Sequence, residues 1–384
     1  MLKKITIENI NSIGRCELDF KKKSYKFLED NILEDLVNPI ALYGHNGSGK
    51  SAVLKAIQNL IYLMTLPIDN LMPFVVNNFL YEEFAADVQN GKKADKNKLI
   101  GKICLEFTLN DLEFTYFLST SRFDNSIPLE YLKCNQEDVF IRKNQTEIIG
   151  EKKYIIQNRS LLLPSLRSLA SSEVNNDKIQ LAFAFVSSFA FVDLPRQHAI
   201  TGFVSSKSLI GISTLDLLVN KSLEVKEILK NYKEFPIYDI VKKESTQNTN
   251  GLPQSGYYLA FEGKQDSLLP IQMISDGMMN QSVLLSILLS LPENTVLFID
   301  ELEQALHPTA MISFLGVIKE KKFQLVFTSH NTHILQHLRP DQIYFAKWKN
   351  GFSEYKRLAN IYPNIREINN IEKMYLANVF DYEE

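Results

Sequence analysis

Residues 44–51 read Gly44-His45-Asn46-Gly47-Ser48-Gly49-Lys50-Ser51, which fits the pattern G-x-x-x-x-G-K-[ST]. An apolar run, Pro39 to Tyr43, precedes this loop, and apolar residues recur after it at helical spacing from Val53 to Ile61. The order predicts a strand, a glycine-rich loop and a helix. Glycines let such a loop point its backbone N–H groups at phosphate oxygens, and the following helix adds its positive N-terminal end. The simpler alternative is a glycine turn that only opens a helix.

The last two residues of this loop predict how a chain of phosphates would be held. Lys50 would neutralise the β- and γ-phosphates, and the hydroxyl of Ser51 would ligate Mg²⁺. We therefore expect ATP and Mg²⁺ as cofactors. The loop residues expected to contact the nucleotide are Gly44, Asn46, Gly47, Ser48, Gly49, Lys50 and Ser51.

A second apolar run, Thr295 to Ile299, ends in two carboxylates, Asp300 and Glu301. The carboxyl end of a parallel strand is where ligands bind in open α/β sheets. Asp300 would hold Mg²⁺ through its water shell, and Glu301 would orient or deprotonate the attacking water. A charged turn after a strand is a common alternative, but the phosphate loop elsewhere in the chain favours the catalytic interpretation.

Two further motifs complete the predicted site. His330 closes the apolar run that ends Phe327-Thr328-Ser329-His330, where its imidazole can donate a hydrogen bond to the γ-phosphate. Ser275 and Gly277 precede a predicted helix and would form a second anion site. Such a site is useful only against the γ-phosphate of another subunit, so it predicts a dimer with ATP between the protomers. The simpler alternatives are a hydrogen-bonded histidine at a strand end and a plain helix cap.

The composition sets limits on the class of protein. The 384 residues include 42 Lys+Arg and 45 Asp+Glu, a formal charge of -3, so no overall basic field attracts nucleic acid or anionic membranes. The three cysteines form no C-x-x-C pair and suit a reducing compartment. The longest apolar runs fall well short of a membrane span. We expect a cytoplasmic protein with no membrane contact.

The order of the patterns predicts one α/β core that is split by an insertion. Alternating residues predict paired strands over 3–8 and 15–20 and a hairpin over 103–119, and strands and helices alternate again from 271 onward. Helical periodicity predominates from about 150 to 229. The expected domains are residues 1–120 as the N-terminal half of the core, 121–265 as a mainly helical insertion, and 266–384 as the C-terminal half.

The four motifs, in this order, resemble the ABC-type ATPases of the SMC/RecF branch. Within that branch the chain is similar to small AAA ATPases akin to the overcoming-lysogenization-defect family, which occur in bacterial anti-phage and abortive-infection systems. The stretches that carry the resemblance are Ile5 to Ser12, Gly44 to Ser51, Ile274 to Gly277, Phe298 to Pro308, Thr328 to His333, Asp341 to Ile343 and Ile371 to Leu376.

The resemblance implies an α/β fold, an ABC-type P-loop ATPase head with a mixed sheet, and a slow, regulatory ATPase. It implies that Lys50, Glu301 and His330 are catalytic, with His330 as the switch histidine. Ser275 and Gly277 would be the signature motif acting in trans, and 303–308 the D-loop region. The chain departs from its relatives at Ala52, where many carry Asn, and at Met278-Met279, and no Q-loop glutamine can be placed.

The resemblance also implies the biological role. We expect a homodimer or higher homo-oligomer that acts as sensor or scaffold in anti-phage defence and controls a separate effector, a nuclease or toxin, encoded nearby. The 54 residues after His330 are too few for a Toprim nuclease domain, so nuclease activity would come from a partner. The alternative is a RecF/SMC-like DNA-binding ATPase, with Lys21-Lys22-Lys23 and the 92–98 cluster on the phosphates. A transporter subunit is a third possibility, which the central region and tail disfavour.

Overall fold

The computed structural model describes residues 1–65, 78–92, 95–124, 126–143, 146–149, 152–155, 176–193, 198–201, 219, 237–245, 254–261, 264–270, 273, 284–285, 287–289, 291–304 and 306–380. Within these ranges, no helix combines the length and hydropathy that crossing a bilayer would require.

Strands make up most of the regular structure in the described ranges. The strands are β1 (Leu2–Ile10), β2 (Ile13–Asp19), β3 (Ile32–Leu33), β4 (Leu36–Val37), β5 (Ile40–Tyr43), β6 (Ile100–Leu109), β7 (Leu112–Ser121), β8 (Leu129–Cys134), β9 (Glu137–Lys143), β10 (Thr146–Ile149), β11 (Lys152–Ile155), β12 (Ala190–Asp193), β13 (His198–Thr201), β14 (Ile237–Ser245), β15 (Gln254–Phe261), β16 (Lys264–Pro270), β17 (Val296–Asp300), β18 (Gln324–Thr328), β19 (Ile343–Lys349) and β20 (Phe352–Arg357). The helices are α1 (Lys50–Thr65), α2 (Asn78–Gln89), α3 (Asn176–Ser187), α4 (Pro308–Glu320), α5 (Leu358–Ile361) and α6 (Ile371–Leu376).

Fifteen of the described strands form one mixed sheet, in the order β11-β10-β9-β8-β7-β6-β1-β2-β20-β19-β5-β18-β17-β12-β13. The strands from β19 through β5, β18 and β17 to β12 pair in parallel, whereas those from β11 to β2 pair in antiparallel fashion. The predicted α/β class with a mixed sheet is therefore confirmed. Strands β14, β15 and β16 form a separate antiparallel sheet.

The parallel strands bring the predicted site residues to one edge of the sheet. Strand β18 lies between β5, which leads into the glycine loop, and β17, which ends in Asp300. The carboxyl ends of parallel strands meet at the same edge, where the loops that follow them can contact one ligand. Strands β5 and β17 come from distant parts of the chain and thus lie on either side of β18. Each of the three strands leads into one of the predicted motifs.

Apolar side chains cover both faces of this parallel core, which explains why its strands are apolar throughout. Side chains alternate along β17, so Val296 and Phe298 belong to one apolar cluster, which includes α1 residues. Leu297 and Ile299 belong to the other cluster, which includes Met311 and other α4 residues. Helices α1 and α4 therefore hold the sheet from its two sides.

A buried arginine fixes the segment between β2 and β5. The side chain of Arg339 is fully buried and its Nε and Nη2 donate to the two carboxylate oxygens of Asp341 at 3.0 and 3.1 Å. Its remaining donors bind the carbonyl oxygens of Lys23 and Phe27 at 3.1 and 3.0 Å. A buried guanidinium requires this full set of partners, and it ties an irregular segment to the body of the sheet.

The structure describes only part of the middle segment, 121–265, which the sequence predicts to be a mainly helical insertion. Strands predominate among its described residues and α3 is the one helix of more than a turn there, and the helical insertion as a whole stays a prediction. Alternating residues such as those of β8 extend the antiparallel part of the large sheet instead. Most of the stretch from about 150 to 229, where helical periodicity predominates in the sequence, lies outside the described residues.

Candidate functional site

The glycine-rich loop joins β5 to α1, and its backbone explains the glycines at two positions. Gly44 has a φ of 148°, and a Cβ there would lie 2.3 Å from the carbonyl oxygen of Ala346. Gly49 has a φ of 98°, and a Cβ there would lie 2.0 Å from Oγ of Ser353. A Cβ atom cannot approach other atoms this closely, so only glycine fits at these two positions. The reason is that β19 packs against Gly44 and β20 packs against Gly49.

The loop itself presents polar groups that fit an anion. His45, Asn46 and Gly47 are exposed, whereas Ser48 is buried. The Oγ of Ser48 is buried without a hydrogen-bond partner among the described residues. A buried hydroxyl without a partner is costly, and here it is a donor available to a phosphate oxygen. The chemistry of the loop therefore fits the phosphate chain that the sequence predicts.

Lys50, the first residue of α1, folds back over this loop. Its Nζ donates to the carbonyl oxygens of Gly44 at 2.8 Å and His45 at 3.1 Å. Burial lowers the pKa of the ammonium group, and the negative charges of Glu303, Asp300 and Glu301 act in the opposite direction, in decreasing order of strength. The negative charges of all three carboxylates at the end of β17 therefore act on Lys50.

Ser51 and Asp300, 249 positions apart, are joined directly. Oγ of Ser51 donates a hydrogen bond of 2.8 Å to Oδ1 of Asp300, which is only 4% exposed. The hydroxyl of Thr328, at the end of β18, donates to the same oxygen at 2.6 Å. The loop after β5 and the ends of β17 and β18 therefore meet at one carboxylate oxygen.

The Ser51 hydroxyl and the Asp300 carboxylate are the oxygen ligands that Mg²⁺ prefers, since Mg²⁺ is bound by one or two carboxylates, phosphate oxygens and water. Within the described part of the chain, no group of three or more His, Cys, Asp and Glu residues could hold a metal alone. The two oxygens of Ser51 and Asp300 leave coordination positions for phosphate oxygens and water, as Mg²⁺ binding to protein usually requires.

Glu301 adopts a backbone conformation that a non-glycine residue rarely takes. Its φ is 52°, in the left-handed region, and its N–H donates to Oγ1 of Thr328 at 2.8 Å. Its Oε2 accepts a hydrogen bond of 3.3 Å from Gln304. Such strain persists only where the surroundings impose it, and it is concentrated at functional sites. The strained turn places a carboxylate next to Asp300 at the edge of the sheet.

His330 lies at the same edge, two residues beyond the end of β18. Its side chain is exposed, and its backbone N–H donates to Oε1 of Glu303 at 2.8 Å. The next residue, Asn331, caps the 3-10 helix Thr332–His337 through its side chain. The loop after β18 is therefore attached to the loop after β17.

The structure brings together the glycine-rich loop, the acidic pair after β17 and the histidine after β18, whereas the predicted signature motif lies outside the described residues. Five of the predicted residues lie at the carboxyl edge of β5, β17 and β18: Lys50, Ser51, Asp300, Glu301 and His330. Ser275 and Gly277, by contrast, belong to the part of the chain that the structure does not describe, and their anion site stays a prediction.

Sequence reasoning gave no contact at this site to three side chains, although it placed Glu303 in the expected D-loop region. Thr328 bridges Asp300 and Glu301, and its signal is a polar residue at the end of an otherwise apolar strand. Glu303 binds the backbone of His330. Tyr355 of β20 donates its hydroxyl to the carbonyl oxygen of Gly49 at 2.7 Å, and no local pattern marks it, because the contact depends on how β20 packs.

The C-terminal segment packs beside the glycine-rich loop. The ring of Tyr375, in α6, lies edge-on to that of Tyr43 and stacks on that of Phe345, with centroids 6.1 and 5.4 Å apart. Glu372 of the same helix accepts a hydrogen bond of 3.2 Å from the hydroxyl of Thr332. Helix α6 therefore contacts both the strand before the loop and the segment after His330.

The lysines that could contact nucleic acid are partly engaged within the chain. Lys22 forms an ion pair with Asp35, and Lys98 pairs with Glu83 at 3.2 Å. The Nζ of Lys96 lies 4.0 Å from the centroid of the Phe123 ring. Exposed pairs of this kind are weak, but they leave less positive charge for phosphates than the sequence alone indicates.

Comparison with known proteins gives a family and distant structural neighbours. A family model described as "AAA domain, putative AbiEii toxin, Type IV TA system" matches residues 40–336. No curated protein matches the chain. The SMC head domain from Thermotoga maritima is 14% identical, with a TM-score of 0.46 over 93% of this chain and 98% of that one. An Smc head domain with an extended coiled coil, bound to the C-terminal domain of ScpA derived from Pyrococcus furiosus, is 11% identical, with a TM-score of 0.45 over 92% and 95%.

Replacing Thr328 tests the bridge at Asp300. Thr328→Val keeps the shape but leaves the Glu301 N–H without an acceptor, so we expect the free energy of unfolding to fall by about 1–3 kcal/mol. Thr328→Ser keeps the hydroxyl and should cost about 1 kcal/mol or less. Urea denaturation measures both values, and equal losses in the two variants would show that the hydroxyl does not hold the site together.

Gly47 and Gly49 lie in the same loop but differ in what surrounds them, so substitutions at the two positions form a matched pair. Gly49→Ala would place a Cβ 2.0 Å from Oγ of Ser353, whereas a Cβ at Gly47 meets nothing within 4 Å. Both residues have a positive φ, so both substitutions should cost about 1–2 kcal/mol of backbone strain. The clash should add about 1–3 kcal/mol at Gly49 alone. Thermal or urea unfolding gives the difference, and similar stabilities would contradict the close approach of β20.

Proposed function

The chain belongs to the family described as "AAA domain, putative AbiEii toxin, Type IV TA system", and from this membership we propose that it binds ATP with Mg²⁺ and hydrolyses it. Its fold is the mixed-sheet head of an ABC-type P-loop ATPase. The observation that carries the proposal is the hydrogen bond of 2.8 Å between Ser51 and Asp300, which joins the glycine loop to the acidic strand.

In this proposal Ser51 and Asp300 would hold Mg²⁺, and Thr328 fixes the orientation of the Asp300 carboxylate. When bound, the metal would supply positive charge that offsets the negative charge of the phosphates. Lys50 binds the β- and γ-phosphates in place of the carbonyl oxygens that it now contacts. The buried donors of the loop replace water around the phosphates, so little reorganisation is needed at the moment of reaction.

Glu301 is the proposed general base, and His330 the proposed contact to the γ-phosphate. A general base must lie within hydrogen-bond reach of the water whose proton it takes. The left-handed backbone at Glu301 supports this role, because strained conformations are concentrated at functional sites and Glu301 directly follows Asp300. His330 lies two residues beyond the end of β18, and an imidazole N–H there would donate to phosphate.

We further propose that two protomers enclose the nucleotide. Ser275 and Gly277 would supply the second anion site from the partner subunit, and the resemblance to SMC/RecF-type ATPases supports this arrangement. The two halves of the core, over 1–120 and 266–384, would together make one head. Mass photometry with and without ATP measures the assembly.

The biological role that this ATPase supports best is sensor or scaffold in anti-phage defence. The family description and the resemblance to overcoming-lysogenization-defect proteins support it, and the effector would be a separate nuclease or toxin. The three unpaired cysteines support a cytoplasmic location. The alternative, a RecF/SMC-like DNA-binding ATPase, would require salt-dependent DNA binding that stimulates hydrolysis.

Two substitutions separate binding from hydrolysis. Lys50→Ala should weaken ATP binding on the order of 100-fold, because it removes charge-assisted hydrogen bonds to the phosphates. Glu301→Gln should keep binding while hydrolysis falls by about 100-fold or more, because the base is lost. A fluorescent nucleotide reports affinity, and phosphate release reports the rate.

Matched controls for these variants lie elsewhere on the same elements. Lys55→Ala removes a partly exposed lysine from α1, and Glu320→Gln neutralises an exposed carboxylate at the end of α4. Neither should change affinity or rate. Wild-type hydrolysis in Glu301→Gln would refute the assigned base, and full binding by Lys50→Ala would refute the nucleotide site.

A further inference from the structure

Glu303 stands out among the acidic residues of the site by the way its two carboxylate oxygens are used. It lies in the 3-10 turn Leu302–Gln304, directly after β17, and Leu302 anchors that turn in the apolar core. Oε1 accepts the backbone N–H of His330 at 2.8 Å. Oε2 is buried without a hydrogen-bond partner in the described ranges.

Stability alone does not explain why Glu303 is turned inward. Burying a carboxylate oxygen without a donor is unfavourable, and within the described ranges the other oxygen, Oε1, is held by the hydrogen bond from the His330 N–H. The negative charge of Glu303 also acts on Lys50, as do those of Asp300 and Glu301. Glu303 therefore interacts both with the lysine that follows β5 and, through a hydrogen bond, with the loop that follows β18.

The bond to His330 has a direct consequence for that side chain. Just before it, the N–H of Ser329 donates to the carbonyl oxygen of Leu42 at 3.3 Å, which keeps the chain against β5. After Ser329 the chain leaves the sheet, and the Glu303 bond fixes the first backbone N–H beyond it. The direction in which an exposed imidazole leaves the backbone depends on that anchor.

We propose that Glu303 is a positioning residue for His330, which it holds in place through the Oε1 to N–H hydrogen bond. This inference rests on the proposed function, since it assigns to Glu303 the placement of the histidine on the γ-phosphate. Glu303 couples the turn that carries Glu301 to the loop that carries His330. Its loss should slow hydrolysis and leave nucleotide binding in place.

The test compares Glu303→Ala, Glu303→Gln, His330→Ala and the double variant Glu303→Ala/His330→Ala in the full chain. We expect Glu303→Ala to lower kcat about tenfold with KM within about twofold, as for an interaction made in the transition state. Glu303→Gln keeps an oxygen acceptor and should stay within about threefold of wild type. The double variant should be no slower than His330→Ala, since the two residues act as one unit.

Hydrogen exchange gives a second readout that does not depend on activity. The amide of His330 should exchange faster in Glu303→Ala than in wild type and in Glu303→Gln, while amides of β5 and β17 keep their protection. If Glu303→Ala does not fold, Glu303→Met fills the same space without an acceptor and replaces it. Thermal unfolding of each variant checks that the fold is kept.

Three results would overturn the inference. Equal losses of rate in Glu303→Ala and Glu303→Gln would show that the charge acts, and not the hydrogen bond. Effects that multiply in the double variant would show that Glu303 and His330 act independently. Wild-type kcat and unchanged exchange in Glu303→Ala would show no role at all. A wild-type chain that does not hydrolyse ATP would contradict the proposed function. The exchange rate of the His330 amide would still test the Glu303 hydrogen bond, so the two failures are distinguishable.

Discussion

The carboxylate of Asp300 is the point on which the arrangement of the site depends. Its buried Oδ1 accepts hydroxyl hydrogen bonds from Ser51 at 2.8 Å and Thr328 at 2.6 Å. Hydrogen bonds to an ionised acceptor are short and strong, and the low dielectric of the interior strengthens them further. One oxygen therefore joins helix α1, the end of β17 and the end of β18. Each of the other candidate residues is positioned from one of these three elements.

The loops above this point combine strain with rigid support. Glu301 takes a left-handed backbone conformation, and Gly44 and Gly49 approach neighbouring strands more closely than any side chain would allow. Conformations of this kind persist where a packed scaffold imposes them. Here the scaffold is a parallel core that is buried on both faces. The hydroxyl of Tyr355 adds a hydrogen bond to the carbonyl oxygen of Gly49, which fixes the loop. Flexible loops alone could not keep three catalytic candidates at one edge.

Much of the fold could be predicted because its signals are local. The strand, loop and helix around 39–61 follow from apolar spacing and glycines, and β1, β2, β6 and β7 follow from strict alternation. The strands in the middle of the chain are harder to predict from the sequence, because short runs with mixed apolar and polar residues fit a helix or a strand equally well. Strands such as β8 and β9 acquire their identity from pairing with β7 and with each other, and pairing is not visible in a local window.

By itself, the sequence determined which groups are candidates for the site: a glycine-rich loop at 44–51, two carboxylates at the end of an apolar strand, and a histidine after another strand. Only the tertiary structure decided that these motifs meet, that Thr328 joins two of them, and that Glu303 reaches the backbone of His330. The physical reason is the range of the interactions. Periodicity and turn chemistry act over a few residues, whereas a hydrogen bond between residues 249 positions apart exists only once the strands have paired and the core has closed.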